Sequence, residues 1–192
     1  MKITKISDTL KSSKMLSVRD LCHIGILIAI ISICAQIHIP IPLGVPLTLQ
    51  TFAIMLSGII LGVKKGMICT FIYILLGAFG APVFSSFSGG LGIIFGRTGG
   101  FILSFPVLAL TAGIGINKGN RIWLTLWLVI GFIINFFCGV VMFSAVMSMS
   151  LSVAFGFAAA PFIPTELIKI VILIIFGNKI KQRVVQRGVS SI

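Results

Sequence analysis

The chain has 192 residues, 58% of them hydrophobic and only 9% charged, with a mean hydropathy of +1.21. That composition excludes a soluble domain, whose surface at this size needs far more polar side chains. The net charge of +12 does not point to nucleic acid, because the basic residues cap apolar segments and lack interleaved aromatics.

Residues 1–19 form a polar arm with Lys2, Lys5, Lys11, Lys14 and Arg19, joined by Asp8 and followed by Asp20. The arm runs directly into apolar sequence, so no signal peptide is expected. A first span is predicted near 20–38, where Gly25 and Ala29 make a small-x-x-x-small pair. Such a pair lets another helix approach closely, either within the bundle or from a partner. The connection HIPIPLGVP (38–46) leads to a second span near 47–63, with Thr48 and Gln50 at its start. A basic turn at Lys64 and Lys65 precedes a third span, 66–80, which carries the single tyrosine, Tyr73.

The stretch 80–100 is rich in Gly, Pro and Ser, and a fourth span follows at 99–116. Lys118 and Arg121 mark the next turn, before a fifth span at 121–147 that contains Asn135. The connection 149–164 leads to the sixth, 162–178, and a basic tail over 179–192 holds Lys179, Lys181, Arg183 and Arg187. Basic residues gather in the arm, the 2–3 turn, the 4–5 turn and the tail. The positive-inside rule then places both termini in the cytoplasm. The expected fold is an all-α six-helix membrane bundle over 20–178, one domain without internal repeats. Its longer outward connections are too apolar for disorder and are expected to cap a pocket.

Three charges remain in glycine-rich or apolar sequence: Arg97, Glu166 and Lys169. Ionised groups in hydrocarbon cost about 2.5–3.5 kcal/mol each at a helix centre on insertion scales, so those retained line cavities or pair. In PFIPTELIKI, Pro164 suits a first helical turn, where the helix dipole favours the Glu166 carboxylate. Lys169 shares its face three residues on. The pair is either a polar recognition surface or a self-neutralising ion pair. Arg97 is either a ligand contact or a side chain reaching for outer headgroups. Glycines at 89, 90, 92, 96, 99 and 100 indicate close backbone packing, so Gly90, Gly99 and Gly100 are candidate pocket residues.

Gln50 must be satisfied if buried, by another helix or by a ligand. Tyr73 is a candidate substrate-binding residue, with a core group whose hydroxyl is bonded as the alternative, and Asn135 reads as interhelical bonding. Cys22, Cys34, Cys69 and Cys138 are widely spaced and predict no disulfide, zinc site or redox pair. His23 and His38 lack partners at metal-ligand spacing. No metal and no cofactor are expected. Three acidic residues cannot assemble a catalytic constellation, and no nucleotide-binding motif exists. The chain is therefore not expected to be an enzyme or to hydrolyse ATP unaided.

AQIHIPIPLGVPLTLQTFAIMLSGIILG (35–62), YILLGAFGAPVF (73–84) and GGLGIIFGRTGGFILSFP (89–106) together resemble the BioY family. These are biotin-binding S components of energy-coupling-factor (ECF) vitamin transporters. The resemblance implies a multi-pass protein of a prokaryotic plasma membrane that captures biotin from outside. Its implied partners are a membrane-embedded T component and two cytoplasmic ATPases. It carries the helix-six pair onto Glu166 and Lys169 and the docking motif onto Gly25 and Ala29. Glu166 stands where members more often carry Asp, and Arg97 where a G-P-T-G-G block has Pro. Biotin's ureido ring would suit Glu166 and Gln50, and its carbonyl or carboxylate Lys169 or Arg97. Phe52, Phe84 and Phe87 are expected as apolar walls. The alternative is a self-sufficient secondary transporter or facilitator. Such a protein needs a polar path that spans two to five do not offer.

Overall fold

The computed structural model describes residues 16–41 and 45–189, apart from the side chains of 184–189. Lys2, Lys5, Asp8, Lys11 and Lys14 of the arm, and the Arg187 side chain, lie outside the described residues.

The first helix, α1 (Val18–Gln36), starts at a reciprocal cap. The Ser17 hydroxyl accepts from the Asp20 amide and the Asp20 carboxylate from the Ser17 amide, both at 3.2 Å. This satisfies two amides that a helix start would otherwise leave without partners. Its 19 residues rise about 28 Å, close to the hydrocarbon thickness of a bilayer. A short antiparallel ribbon follows, β1 (His38–Ile39) with β2 (Leu47–Thr48).

The next helical stretch, α2 (Gln50–Ala78), is two helices that meet at a kink. Gly62 sits at φ 76° and ψ −177°, a region that glycine alone enters cheaply. The chain reverses there. A Cβ on Gly66 would lie 2.9 Å from the Cα of Gly58, whereas eight residues of straight helix rise about 12 Å. The two arms, 50–61 and 63–78, are thus a helical hairpin. The turn falls at Gly62, and Lys64 and Lys65 lie at the start of the second arm rather than in a polar loop.

A 3₁₀ turn (Ser85–Phe87) and the short helices α3 (Leu91–Ile94) and α4 (Gly99–Leu103) precede α5 (Phe105–Asn117). The predicted span 99–116 is interrupted at Ser104 because Pro106 has no amide to carry the hydrogen-bond ladder on. Helix α6 (Arg121–Met147) is capped by Asn120, whose Oδ1 accepts from the Ile122 amide at 3.0 Å. The connection 149–164, expected to be irregular, is mostly helical: α7 (Leu151–Ala158) and a 3₁₀ turn (Ala160–Phe162). Its small residues Ala154, Ala158 and Ala159 bury with Phe143 and Phe162 in one apolar cluster, which favours a packed helix over a loop. The last helix, α8 (Ile163–Val189), carries Lys179, Lys181 and Arg183 on its final turns instead of in a separate tail.

Small residues let α5 pack closely against both arms of α2. A Cβ on Gly58 would collide with the Ala109 carbonyl, and one on Gly113 would stand 2.7 Å from the Val63 amide nitrogen. Such contacts are the usual means of helix association where water supplies no driving force. The larger core joins α1, α2, α5 and α8 through Ile31, Ile54, Ile59, Leu108 and Leu173. The outer faces are the reverse of a soluble protein's. Ile133, Phe137 and Val141 of α6 and Leu167, Ile168, Val171 and Ile175 of α8 are all exposed, which suits lipid rather than water.

Among the described residues, four helical stretches are long and apolar enough to cross a membrane: Val18–Gln36, Gln50–Ala78, Arg121–Met147 and Leu151–Arg183. The two ends of the bundle differ in chemistry. One carries the Lys65–Asp20 ion pair at 2.5 Å and the Lys181–Asn117 hydrogen bond at 2.8 Å. The other gathers the ribbon, the 85–87 turn, α3, α4 and the start of α8. The site lies there.

Candidate functional site

A cavity of about 470 Å³ opens at this second end, within the roughly 300–1,000 Å³ usual for small-molecule sites. Segments distant in sequence converge on it: the ribbon through His38 and Thr48, α2 through Gln50 and Thr51, and the α3–α4 region through Arg97 and Phe101. Asn135 and Phe136 enter from α6, Phe162 from the 3₁₀ turn (Ala160–Phe162) and Glu166 from the first turn of α8.

Glu166 and Lys169 are 2% and 6% exposed, a burial that ionised groups survive only when paired and fully bonded. The Lys169 ammonium donates to Glu166 Oε1 at 2.6 Å, to the Thr48 carbonyl at 2.6 Å and to the Thr51 hydroxyl at 2.9 Å. The Thr51 hydroxyl in turn donates to Glu166 Oε1 at 2.7 Å. These three acceptors exhaust the three donors of an ammonium. Every partner of the carboxylate among the described residues meets Oε1, leaving Oε2 without one. Glu166 lines the cavity and Lys169 does not. The lysine thus acts as a fixed counter-ion behind the acid, holding the carboxylate oriented.

Gln50 is fixed by a comparable chain. Its Nε2 donates to the Tyr73 hydroxyl at 2.7 Å, which donates to the Val83 carbonyl at 2.8 Å. Because the tyrosine proton is committed to Val83, the amide must present nitrogen to it, so its orientation is determined. One N–H and the carbonyl oxygen of Gln50 remain for a ligand. Tyr73 is fully buried and supports Gln50 from behind without lining the cavity.

Arg97 is exposed and lines the cavity's edge, with no hydrogen-bond or ion-pair partner among the described residues. The three glycine candidates lie elsewhere. Gly90 turns the chain at φ 98°, and its amide donates to the Gly77 carbonyl. Gly99 and Gly100 set α4 tightly on α6, where a Cβ on either would stand 2.8 Å from Met142.

The aromatic wall is also different from that expected. Phe84 lines the cavity and is buried edge-on to Tyr73, but Phe52 does not line it, and Phe87 points outward at 71% exposure. The wall is instead a triangle of Phe101, Phe136 and Phe162, with ring centroids 5.6–6.3 Å apart. Phe162 precedes Glu166 by four residues, and that helical spacing was the available signal for it. Gln36 is a further residue not foreseen. Its Oε1 accepts from the Phe87 amide at 2.8 Å and its Nε2 donates to the Phe84 carbonyl at 3.0 Å. It pins a turn in which Ser86 and Phe87 both adopt left-handed φ, 58° and 53°, and His38 reaches the Ser86 hydroxyl at 3.1 Å.

Gly25 and Ala29 lie far from this site, exposed on the outer face of α1, and a Cβ on Gly25 would meet nothing within 4 Å. Packing among the described residues therefore does not require a small residue at Gly25, and Ala29 is exposed beside it.

Apolar helices of membrane-crossing length around a cavity lined by a buried carboxylate, amide and hydroxyl groups and aromatic rings define a membrane-embedded small-molecule-binding protein. The model of the BioY family matches residues 8–186. The chain belongs to the BioY family. Similar proteins include the probable biotin transporter BioY of Pyrococcus horikoshii, 34% identical, with the match covering 85% of this chain and 96% of the relative. The biotin transporter BioY of Thermotoga maritima is 35% identical over 88% of this chain and 99% of its own length. The crystal structure of the S-component for biotin from an ECF-type ABC transporter superimposes with a TM-score of 0.78 at 25% identity. It covers 86% of this chain and 92% of that structure.

Proposed function

We propose that this chain captures biotin at the cavity and serves as the substrate-specific S component of an ECF-type transporter. The observation that carries the proposal is the Glu166 carboxylate, held by Lys169 and Thr51, with one oxygen left unbonded at an aromatic-lined cavity. A ureido ring offers two N–H donors and a carbonyl on a flat, largely apolar frame. Glu166 Oε2 accepts one N–H, Gln50 donates its spare N–H to the ureido carbonyl, and the phenylalanine triangle takes the ring system. Arg97, at the edge of the cavity, meets the carboxylate of the aliphatic tail. Charge-assisted contacts at both ends are the strong ones.

The relatives' names and the neighbour's transporter type support the wider assignment. The chain is one subunit of a plasma-membrane assembly, with a T component and two ATPases supplying the energy. Six spans fit the architecture: α1, the two arms of α2, α4 with α5, α6, and α8. Lys64, Lys65, Lys118, Arg121 and the basic end of α8 then face the cytoplasm, and the cavity opens outward. Gly25 and Ala29 form part of the surface that docks on the T component. The test is calorimetric titration of the purified protein with biotin in the absence of ATP. Binding at submicromolar concentration is expected, and the absence of detectable binding would overturn the proposal.

A further inference from the structure

Asn135, at the middle of α6, is 1% exposed and lines the same cavity. Its Nδ2 donates to the Phe101 carbonyl at 3.0 Å and to the Ser104 hydroxyl at 2.8 Å, which joins α6 to the α4–α5 junction. Its Oδ1 has no hydrogen-bond partner although it is fully buried. Buried acceptors are nearly always paired, so each exception calls for an explanation. A reversed amide does not supply one. Rotating the group would set Oδ1 against the Phe101 carbonyl, two acceptors at 3.0 Å. The Ser104 hydroxyl is within donating distance of the Gly100 and Phe101 carbonyls, both at 2.9 Å, and accepts from Asn135. The network therefore fixes which atom is nitrogen and which is oxygen.

Only one half of this side chain is interhelical glue. The other half is an unpartnered, oriented acceptor on a residue that lines the cavity together with Phe101 and Phe136. We infer that Asn135 Oδ1 accepts the second ureido N–H of the substrate, the one that Glu166 does not bond. This deepens, and rests on, the biotin assignment. It gives the site two acceptors for two donors, one anionic on α8 and one neutral on α6. A ligand lacking one N–H leaves that buried oxygen unpaired, and such sites reject analogues more strongly than apolar pockets do.

The test titrates biotin and its two mono-N-methyl ureido analogues into the full-length wild type, Asn135→Ala and Ser104→Ala. Wild type is expected to prefer biotin over one of the analogues by at least tenfold, about 1.4 kcal/mol. In Asn135→Ala that preference should shrink to less than threefold. Ser104→Ala, which removes only a partner of Nδ2, should lower the thermal midpoint and keep the full preference. If Asn135→Ala weakens biotin and both analogues by the same factor, the residue is structural and the inference fails. Should Asn135→Ala not fold, wild type still decides: indifference to N-methylation at either nitrogen overturns the inference alone. A wild type that binds no biotin at all overturns the functional proposal as well.

Discussion

The Gln50 amide donates to the Tyr73 hydroxyl at 2.7 Å across 23 residues, from one arm of α2 to the other. In a straight helix those residues would stand about 34 Å apart. The bond exists because the stretch folds back at Gly62, so a glycine at the basic end positions a cavity residue at the other. Nothing lies within 4 Å of a Cβ built there, so a side chain at 62 costs backbone strain rather than steric collision. Gly62→Val should destabilise the protein by about 1–3 kcal/mol. A thermal scan in detergent at fixed rate should show a midpoint lower by several degrees, and an unchanged midpoint would show that the reversal does not need glycine.

Tyr73→Phe tests the other end of this relationship. Removing the hydroxyl leaves the Val83 carbonyl and one Gln50 N–H without their partner in a buried site, at a cost of about 1–3 kcal/mol. Gln50 also loses its fixed orientation. Stability should drop, and biotin affinity should fall by less than it does in Glu166→Ala. A larger affinity loss in Tyr73→Phe would mean that the hydroxyl itself meets ligand.

The ion pair behind the cavity separates structure from function by a double substitution. Lys169→Met strips a buried carboxylate of its counter-ion and should destabilise the fold by about 3–5 kcal/mol. Glu166→Leu together with Lys169→Met removes both charges, and apolar replacements of buried pairs are often neutral or better. The double variant should recover most of the lost stability and yet bind biotin at least tenfold more weakly, about 1.4 kcal/mol. Recovery of both stability and affinity would reduce the pair to a structural one.

How far these features were legible in the sequence depends on how local their causes are. The start of α8 could be read from Pro164 and Glu166, and the span 121–147 from uninterrupted apolar sequence, because capping and hydropathy act over a few residues. The importance of Glu166 and Lys169 followed from the cost of charge in an apolar segment. Their division of labour did not, since it depends on Thr48 and Thr51, more than a hundred residues away. The same limit explains the wall. Phe52 and Phe87 are near candidate polar residues in sequence, but Phe101, Phe136 and Phe162 are brought together only by the meeting of α4, α6 and the 3₁₀ turn before α8. The glycine run left a choice for a related reason: it signals close backbone approach without naming what approaches, and Gly99 and Gly100 meet α6.

Arg97 supplies a test of ligand orientation. It is exposed at the cavity's edge and free of protein partners among the described residues, so its substitution should leave stability almost unchanged. If it meets the tail carboxylate, Arg97→Ala should weaken biotin about tenfold and leave the affinity for biotin methyl ester unaltered. Equal effects on acid and ester would move the carboxylate contact elsewhere. Because the group is exposed, the wild-type advantage for the acid should also shrink as salt is raised.

The outer face of α1 raises a different question, since Gly25 and Ala29 are exposed there and no neighbour among the described residues requires glycine at 25. Val18, Leu21, Ile26 and Ile33 are exposed on the same helix. Lipid alone would be covered as well by leucine as by glycine, so two small residues one turn apart imply a helix that comes close. Gly25→Trp fills that approach without touching the bundle, so folding and biotin titration should be unchanged. Cellular biotin uptake, in a strain supplying the T component and ATPases, should be lost, and the variant should fail to co-purify with them. Normal uptake and intact co-purification would place the docking surface on another face. Loss of biotin binding would instead show that the Gly25 region of α1 shapes the cavity, although it is the far end of that helix, at Gln36, that bonds the cavity-lining Phe84.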